Sequence, residues 1–271
     1  MRPLRDHLIL YDEECPMCTV YTKAFVKTGM LDSDGRASYQ QMPPVACPVV
    51  DKQRAANEIA LVNTQTGEVI YGIHSLFAVL GNAFPLFRKL FVFPPFVWLM
   101  NKLYAFISYN RRVIIPPRHS AGHAVQPAFK LNYRIAYLAL TWFATAAILS
   151  RYAPLLVPLV PTGHPGREYA ICGGQLLIQA AVLCLLAAPK MWDYLGNMMT
   201  VSFAGALLLL PPALLHRWLA AGPYLYAGYF MGVASLMLLE HMRRTKRLKL
   251  GWLPTITWVC YRLAILFLLY F

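Results

Sequence analysis

Residues 8–21 read Leu-Ile-Leu-Tyr-Asp-Glu-Glu-Cys-Pro-Met-Cys-Thr-Val-Tyr, and they constrain the N-terminal fold more than any other stretch. Leu8 to Tyr11 is a short apolar run, the pattern of a buried strand. Asp12, Glu13 and Glu14 form a turn, and Cys15-Pro16-Met17-Cys18 opens an amphipathic segment, Thr19 to Lys27, closed by Gly29. A cysteine pair is thus expected at a helix N-terminus. Unpaired N–H groups there, with about half a positive charge, stabilise an anion. The thiolate is the attacking form of cysteine, so Cys15 is the candidate nucleophile. Pro16 suits the first helical turn, where its missing N–H loses nothing. Cys18, one turn on, is placed to resolve a mixed disulfide formed at Cys15.

Three carboxylates oppose the helix end, because negative charge nearby raises a thiol pKa. Sequence does not decide which effect prevails. Asp12, at the strand end, has two readings. It is a proton acceptor for the resolving thiol, or Asp12 or Glu14 simply caps the helix.

The rest of the chain is apolar and basic. Of its 271 residues, 58% are hydrophobic, above the ~45–50% of soluble domains. Residues 1–129 hold 13 Lys/Arg against 9 Asp/Glu, and residues 130–271 hold 12 against 3. Basic residues flanking apolar runs with few acids are a membrane pattern, so the bilayer is the expected partner and nucleic acid is not. Of six cysteines, only Cys15 and Cys18 are closely spaced. Cys47, Cys172, Cys184 and Cys260 are scattered and read as packing residues. Acids follow Leu8–Tyr11 at once, which is unlike a secretory signal, so the first domain is expected to stay on the side where it is made.

Further elements follow in order. Ala37–Met42 is a strand, Val50–Asn57 a short helix, Ile59–Asn63 and Glu68–Tyr71 a hairpin around Thr64-Gln-Thr-Gly67, and His74–Gly81 a helix. The order β-α-β-α-β-β-α predicts a thioredoxin-like α/β domain, a mixed sheet with helices on both faces. Residues 84–112 are rich in aromatics and read as helices covering that sheet, or as an amphipathic helix on a membrane, with packing favoured. Residues 113–130, with Pro116, Pro117, Gly122 and Pro127, form a linker. Apolar spans near 132–150, 170–188, 197–215, 223–240 and 252–270 approach the ~20 residues a crossing needs. Pro211-Pro212 should bend or end the third. The fifth contains Arg262, which would snorkel or pair with another span. Basic residues of 111–134 and of the 241–251 loop fall on one side, totalling +10 against +2 opposite. That predicts a cytoplasmic N-terminal domain and five crossings.

The segment Asp12-x-x-Cys15-x-x-Cys18 resembles the DCC family of thiol-disulfide oxidoreductases, named for its Asp-Cys-Cys motif. Gly67 followed by Tyr71-Gly72 and a helix, and Tyr104 followed by Asn110-Arg111, are similar to that family's hairpin and closing segment. The resemblance covers about residues 6–114. It implies a thioredoxin-like fold, catalytic residues at Cys15 and Cys18, and Asp12 as the accompanying acid. Two departures stand out. Glu13 follows the acid where such families carry a small residue. Asn57-Glu58 precede Ile59 where thioredoxins place a proline that aligns extended substrates.

The resulting reading has a thioredoxin-like domain at 1–114, a linker at 115–131 and an all-α transmembrane region of about five helices at 132–271. The expected function is a membrane-anchored thiol-disulfide oxidoreductase without cofactor. It acts as reductase rather than oxidase, because a cytoplasm keeps dithiols reduced. Its substrate is a protein or small-molecule thiol or disulfide. The alternative is a non-enzymatic membrane-embedded binding or assembly protein with a thioredoxin-like module. A zinc site is disfavoured. Structural zinc takes four ligands, and His119 and His123 sit in the linker. Electron transfer across the bilayer would need a second cysteine pair. Cys172 and Cys184 lie roughly 18 Å apart along one helix, beyond disulfide reach.

Overall fold

A computed structural model describes residues 3–44, 46–117, 125–218 and 221–270. The chain forms two compact units, Met1–Tyr133 and Arg134–Phe271.

In the first unit the elements are β1 (His7–Tyr11), α1 (Pro16–Lys27), β2 (Arg36–Ser38), α2 (Lys52–Asn57), β3 (Ala60–Asn63), β4 (Val69–Tyr71) and α3 (Ile73–Ala83). The strands form one mixed sheet in the order β2-β1-β3-β4. β1 pairs parallel with β2 and antiparallel with β3, with Ile9 opposite Leu61. Successive strand residues face opposite sides of a sheet. Leu8, Leu10, Ala60 and Val62 therefore pack with Ala55 and Ala56 of α2 on one face. Ile9 and Leu61 pack with Phe25 of α1 and Val79 of α3 on the other. Both faces are covered, which is why β1 is an unbroken apolar run and not an alternating one.

β2 ends at Ser38, well short of the expected Met42. The chain is diverted there by local polar bonds: the Ser38 hydroxyl accepts the Gln40 N–H at 3.1 Å, and the Gln40 amide reaches the Asp12 carboxylate. Asp51 caps α2 by accepting the Arg54 N–H at 3.0 Å.

The aromatic segment forms a 3-10 turn at Pro85–Phe87, α4 (Arg88–Phe91) and α5 (Pro94–Ile114). Phe91 and Phe96 stack on Phe77 of α3 with ring centroids 4.6 and 5.8 Å apart. One face of α5 buries Ser108, Asn110, Arg111 and Val113, while Trp98, Leu99, Leu103 and Ile107 are exposed. Packing is thus the outcome for one face of this segment. The other keeps the apolar stripe of an amphipathic helix.

The second unit is mostly helical. α6 (Leu131–Tyr152) begins at the end of the first unit, and α7 (Arg167–Ala187), α8 (Met191–Leu215), α9 (Pro223–Arg247) and α10 (Leu253–Tyr270) follow. One core gathers Leu183, Tyr194, Met198 and Trp258, and another gathers Tyr152, Leu209 and Val233. Helices stand where all five apolar spans were expected. By length and composition, however, only Leu131–Leu156 and Arg167–Leu215 are fit to cross a membrane among the described residues. A third candidate exists if Pro85–Phe91 and Pro94–Ile114, bent by 86°, count together. Arg167–Leu215 takes in two of the expected spans, and Leu253–Leu269 is too short. α9 instead runs on to a basic end at Arg243, Arg244, Lys246 and Arg247. Pro211 and Pro212 do not end α8, which continues to Leu215.

Gly72 joins β4 to α3 at φ +67°, and a Cβ there would run into the Glu58 carboxylate. Left-handed backbone strains an L side chain by ~1–3 kcal/mol. Gly29, at φ +72°, faces open space. Gly72→Ala should therefore destabilise the full-length chain more than Gly29→Ala, as read by denaturant titration in detergent.

Candidate active site

β1 delivers Asp12 to the mouth of α1. The Asp12 carbonyl accepts the Cys15 N–H at 3.1 Å, and its Oδ1 accepts the Glu14 N–H at 3.1 Å. These bonds close the turn that puts Cys15 at the helix N-cap, in extended conformation. The cap is Cys15 itself: its Sγ accepts the Cys18 N–H at 3.4 Å. The capping role expected for Asp12 or Glu14 is therefore corrected. A carboxylate-built turn leaves the helix end to the sulfur.

The carboxylates are answered by α5. Arg111 Nη2 donates to Asp12 Oδ2 at 2.8 Å, with the two side chains 5% and 1% exposed. The same guanidinium donates to the Ala56 carbonyl at 2.6 Å and the Asn57 carbonyl at 3.2 Å. Arg112 Nη2 meets Glu14 Oε2 at 3.0 Å, and Gln40 Nε2 donates to Asp12 Oδ1 at 2.7 Å. Two of the three acids thus face guanidinium groups, which removes much of their opposition to a thiolate.

The two thiols separate in character. Cys15 is lowered from 9.0 to about 7, chiefly because the Cys18 thiol donates to its sulfur. Burial opposes this; the Cys18 N–H and the Arg111 charge add to it, and Asp12 weakly opposes. Cys18 is pushed far up by the same thiol bond, by burial and by the charge on Cys15. A hydrogen bond from Tyr21, three residues along α1, acts the other way on Cys18. Burial holds the hydroxyls of Tyr21 and Tyr104 well above their usual range. The Tyr104 oxygen accepts the N–H of Ile59 at 3.0 Å.

Cys15, Cys18 and Asp12 are brought together at one helix mouth. Both cysteines are free and buried, at 3% and 5% exposure. Arg111, Arg112, Gln40, Tyr21 and Tyr104 complete the site; Arg111 and Tyr104 were marked from sequence only as parts of a closing segment, and Arg112, Gln40 and Tyr21 were not singled out as site residues. Tyr21 was findable, since residues three apart share a helix face. Arg118, His119 and His123 lie outside the described residues.

With this geometry in view, comparison adds one result. Residues 9–115 match the family model described as DCC1-like thiol-disulfide oxidoreductase, which bears out the resemblance read from the cysteine motif and closing segment. No curated protein and no solved structure gives a match.

Two outcomes follow from the electrostatics. Removing one partner of a buried ion pair costs about 3–5 kcal/mol, whereas replacing both is often near neutral. Arg111→Met should destabilise by that amount, and adding Asp12→Leu should restore much of the loss, as a double-mutant cycle would show. The second concerns pH. Cys15 is lowered on folding, so the reduced chain should gain stability as pH rises from about 7 towards 9.0 and lose it as pH falls through about 7. Cys15→Ser should flatten that rise in thermal melts.

Proposed function

We propose that the chain is a membrane-anchored thiol-disulfide oxidoreductase whose N-terminal domain is thioredoxin-like, cytoplasmic and acts as a reductase. The single observation that carries this is the asymmetry at the helix mouth. Cys18 donates both its N–H and its thiol proton towards Cys15, so one sulfur is primed to attack and the other holds the proton.

In the proposed cycle the Cys15 thiolate attacks a disulfide R–S–S–R′. Cys15–S–S–R forms and R′–S⁻ leaves to take up a proton. Cys18 then attacks the Cys15 sulfur, the S–R bond breaks, and the Cys18 proton passes to the departing thiolate, which leaves as R–SH. The substrate gains two electrons, and the enzyme is left as the Cys15–Cys18 disulfide, to be reduced by an external dithiol. Arg111 favours the Cys15 anion, which is the attacking form. Asp12 is a positioning residue in this reading. Both its oxygens accept hydrogen bonds, and one anchors Arg111 beside the sulfurs.

Burial of both thiols favours a small disulfide, or a flexible segment admitted by local opening, over a folded protein surface. The loss of a proline before β3, with the Ile59 N–H taken by Tyr104, points the same way. The element order and the covered mixed sheet support the thioredoxin-like assignment. The apolar stretches Leu131–Leu156 and Arg167–Leu215 support the anchor, and the basic bias of the flanking loops supports the orientation. The same burial also favours a second reading, a non-enzymatic membrane protein that uses this module for binding.

The two separate in one experiment. Full-length chain in detergent is treated with hydroxyethyl disulfide and analysed by mass spectrometry. With adducts assigned by site, Cys18→Ser should accumulate one on Cys15 without turnover, and Cys15→Ser should leave Cys18 unmodified, whatever the exposed Cys47, Cys184 and Cys260 do. Modification of Cys18 in Cys15→Ser, or none of Cys15 in Cys18→Ser, would reject the enzyme reading.

A further inference from the structure

Within the second unit, helices α6 to α10 line a partly open cavity of about 390 Å³ with mostly apolar walls, including Leu149, Leu209 and Val233. Its polar groups are few, and some of them lack partners. Among the described residues, Arg262 Nε, both ends of the Gln175 amide and the Thr145 hydroxyl are buried there without a hydrogen-bond partner. Native structures leave few such groups, and each one left bare is costly.

Gln179 shows what a satisfied neighbour looks like. One turn along the same helix, its amide accepts from the Tyr194 hydroxyl at 2.9 Å and donates to Thr257 at 3.1 Å. Gln175 is 3% exposed and has neither. Arg262 presents its guanidinium over the Trp258 ring at 4.7 Å, with no carboxylate paired to it among the described residues. The wall does hold one acid, Glu168, but Arg167 engages it at 2.8 Å. Arg262 is half-buried with its Nε shut off from partners, and a cation held partly out of water favours a counter-charge.

We propose that this cavity binds a single-chain amphiphile with a carboxylate head. The head takes the Arg262 charge and the Gln175 Nε2 donor, and the chain lies along the apolar walls. Thr145 and Gln175 Oε1 leave room for a hydroxyl beside the carboxylate. Size sets the class. Ligand pockets run from about 300 to 1,000 Å³, and this one is near the small end, so its size matches one chain better than the two of a phospholipid. The proposal is independent of the chemistry at Cys15.

The test is saturation binding of labelled palmitate to the full-length chain in phosphatidylcholine nanodiscs. One palmitate per chain is expected, with at least tenfold weaker binding for Arg262→Gln and for Gln175→Leu. Hexadecanol, which has the chain without the charge, should compete poorly, and so should phosphatidylglycerol added to the discs. The competition arm needs no variant, so it decides even if a substitution harms folding. Absent saturable binding, hexadecanol competing as well as palmitate, undiminished binding in folded Arg262→Gln, or displacement by phosphatidylglycerol would each overturn the proposal.

Discussion

The Arg111–Asp12 ion pair, 2.8 Å long and almost wholly buried, is the contact on which the candidate site depends. It joins residues 99 positions apart, tying α5 to the turn between β1 and α1. A charge placed in so dry a position must be matched by geometry and by further hydrogen bonds. Here the Ala56 and Asn57 carbonyls supply them on the arginine side, and Gln40 and the Glu14 N–H on the aspartate side. The pair fixes the turn, and the guanidinium adds its charge to the field at Cys15. One interaction therefore shapes both the backbone that presents the sulfur and the electrostatics that activate it.

The sequence-level conflict between helix end and carboxylates is resolved by that pair. From residues 8–21 alone, three acids stand against one helix terminus, and their net effect is undetermined. Arg111 and Arg112 lie some hundred residues downstream, and nothing local announces where they go. The family resemblance marked Asn110-Arg111 as a closing segment without giving Arg111 a partner. Structure turns that marker into chemistry. The same holds for Tyr104, whose hydroxyl takes the Ile59 N–H.

What was legible locally was the sheet core and the placing of the cysteines. Leu8–Tyr11, Ile59–Asn63 and the hairpin follow period and turn chemistry, and the elements lie within a residue or two of their expected bounds. β2 was over-extended because Ala37–Met42 carries strand-like residues, whereas Ser38 and Gln40 bond locally and to Asp12. Helix positions in residues 132–271 were legible from hydropathy. The number of crossings was not, because a 49-residue apolar stretch and a short last helix blur where one span ends. The unsatisfied polar cavity was beyond reach of sequence, since Gln175 and Gln179 look alike until their partners are seen.

The assignment rests most directly on the difference between the two thiols. Alkylation of the reduced, full-length chain by iodoacetamide, resolved by site and followed from pH 5 to 10, measures it. Cys15 should react with a midpoint near 7, and Cys18 should stay unreactive across the range while Cys15 is intact. A midpoint for Cys15 at the ordinary 9.0, or faster labelling of Cys18, would contradict the division of roles between them.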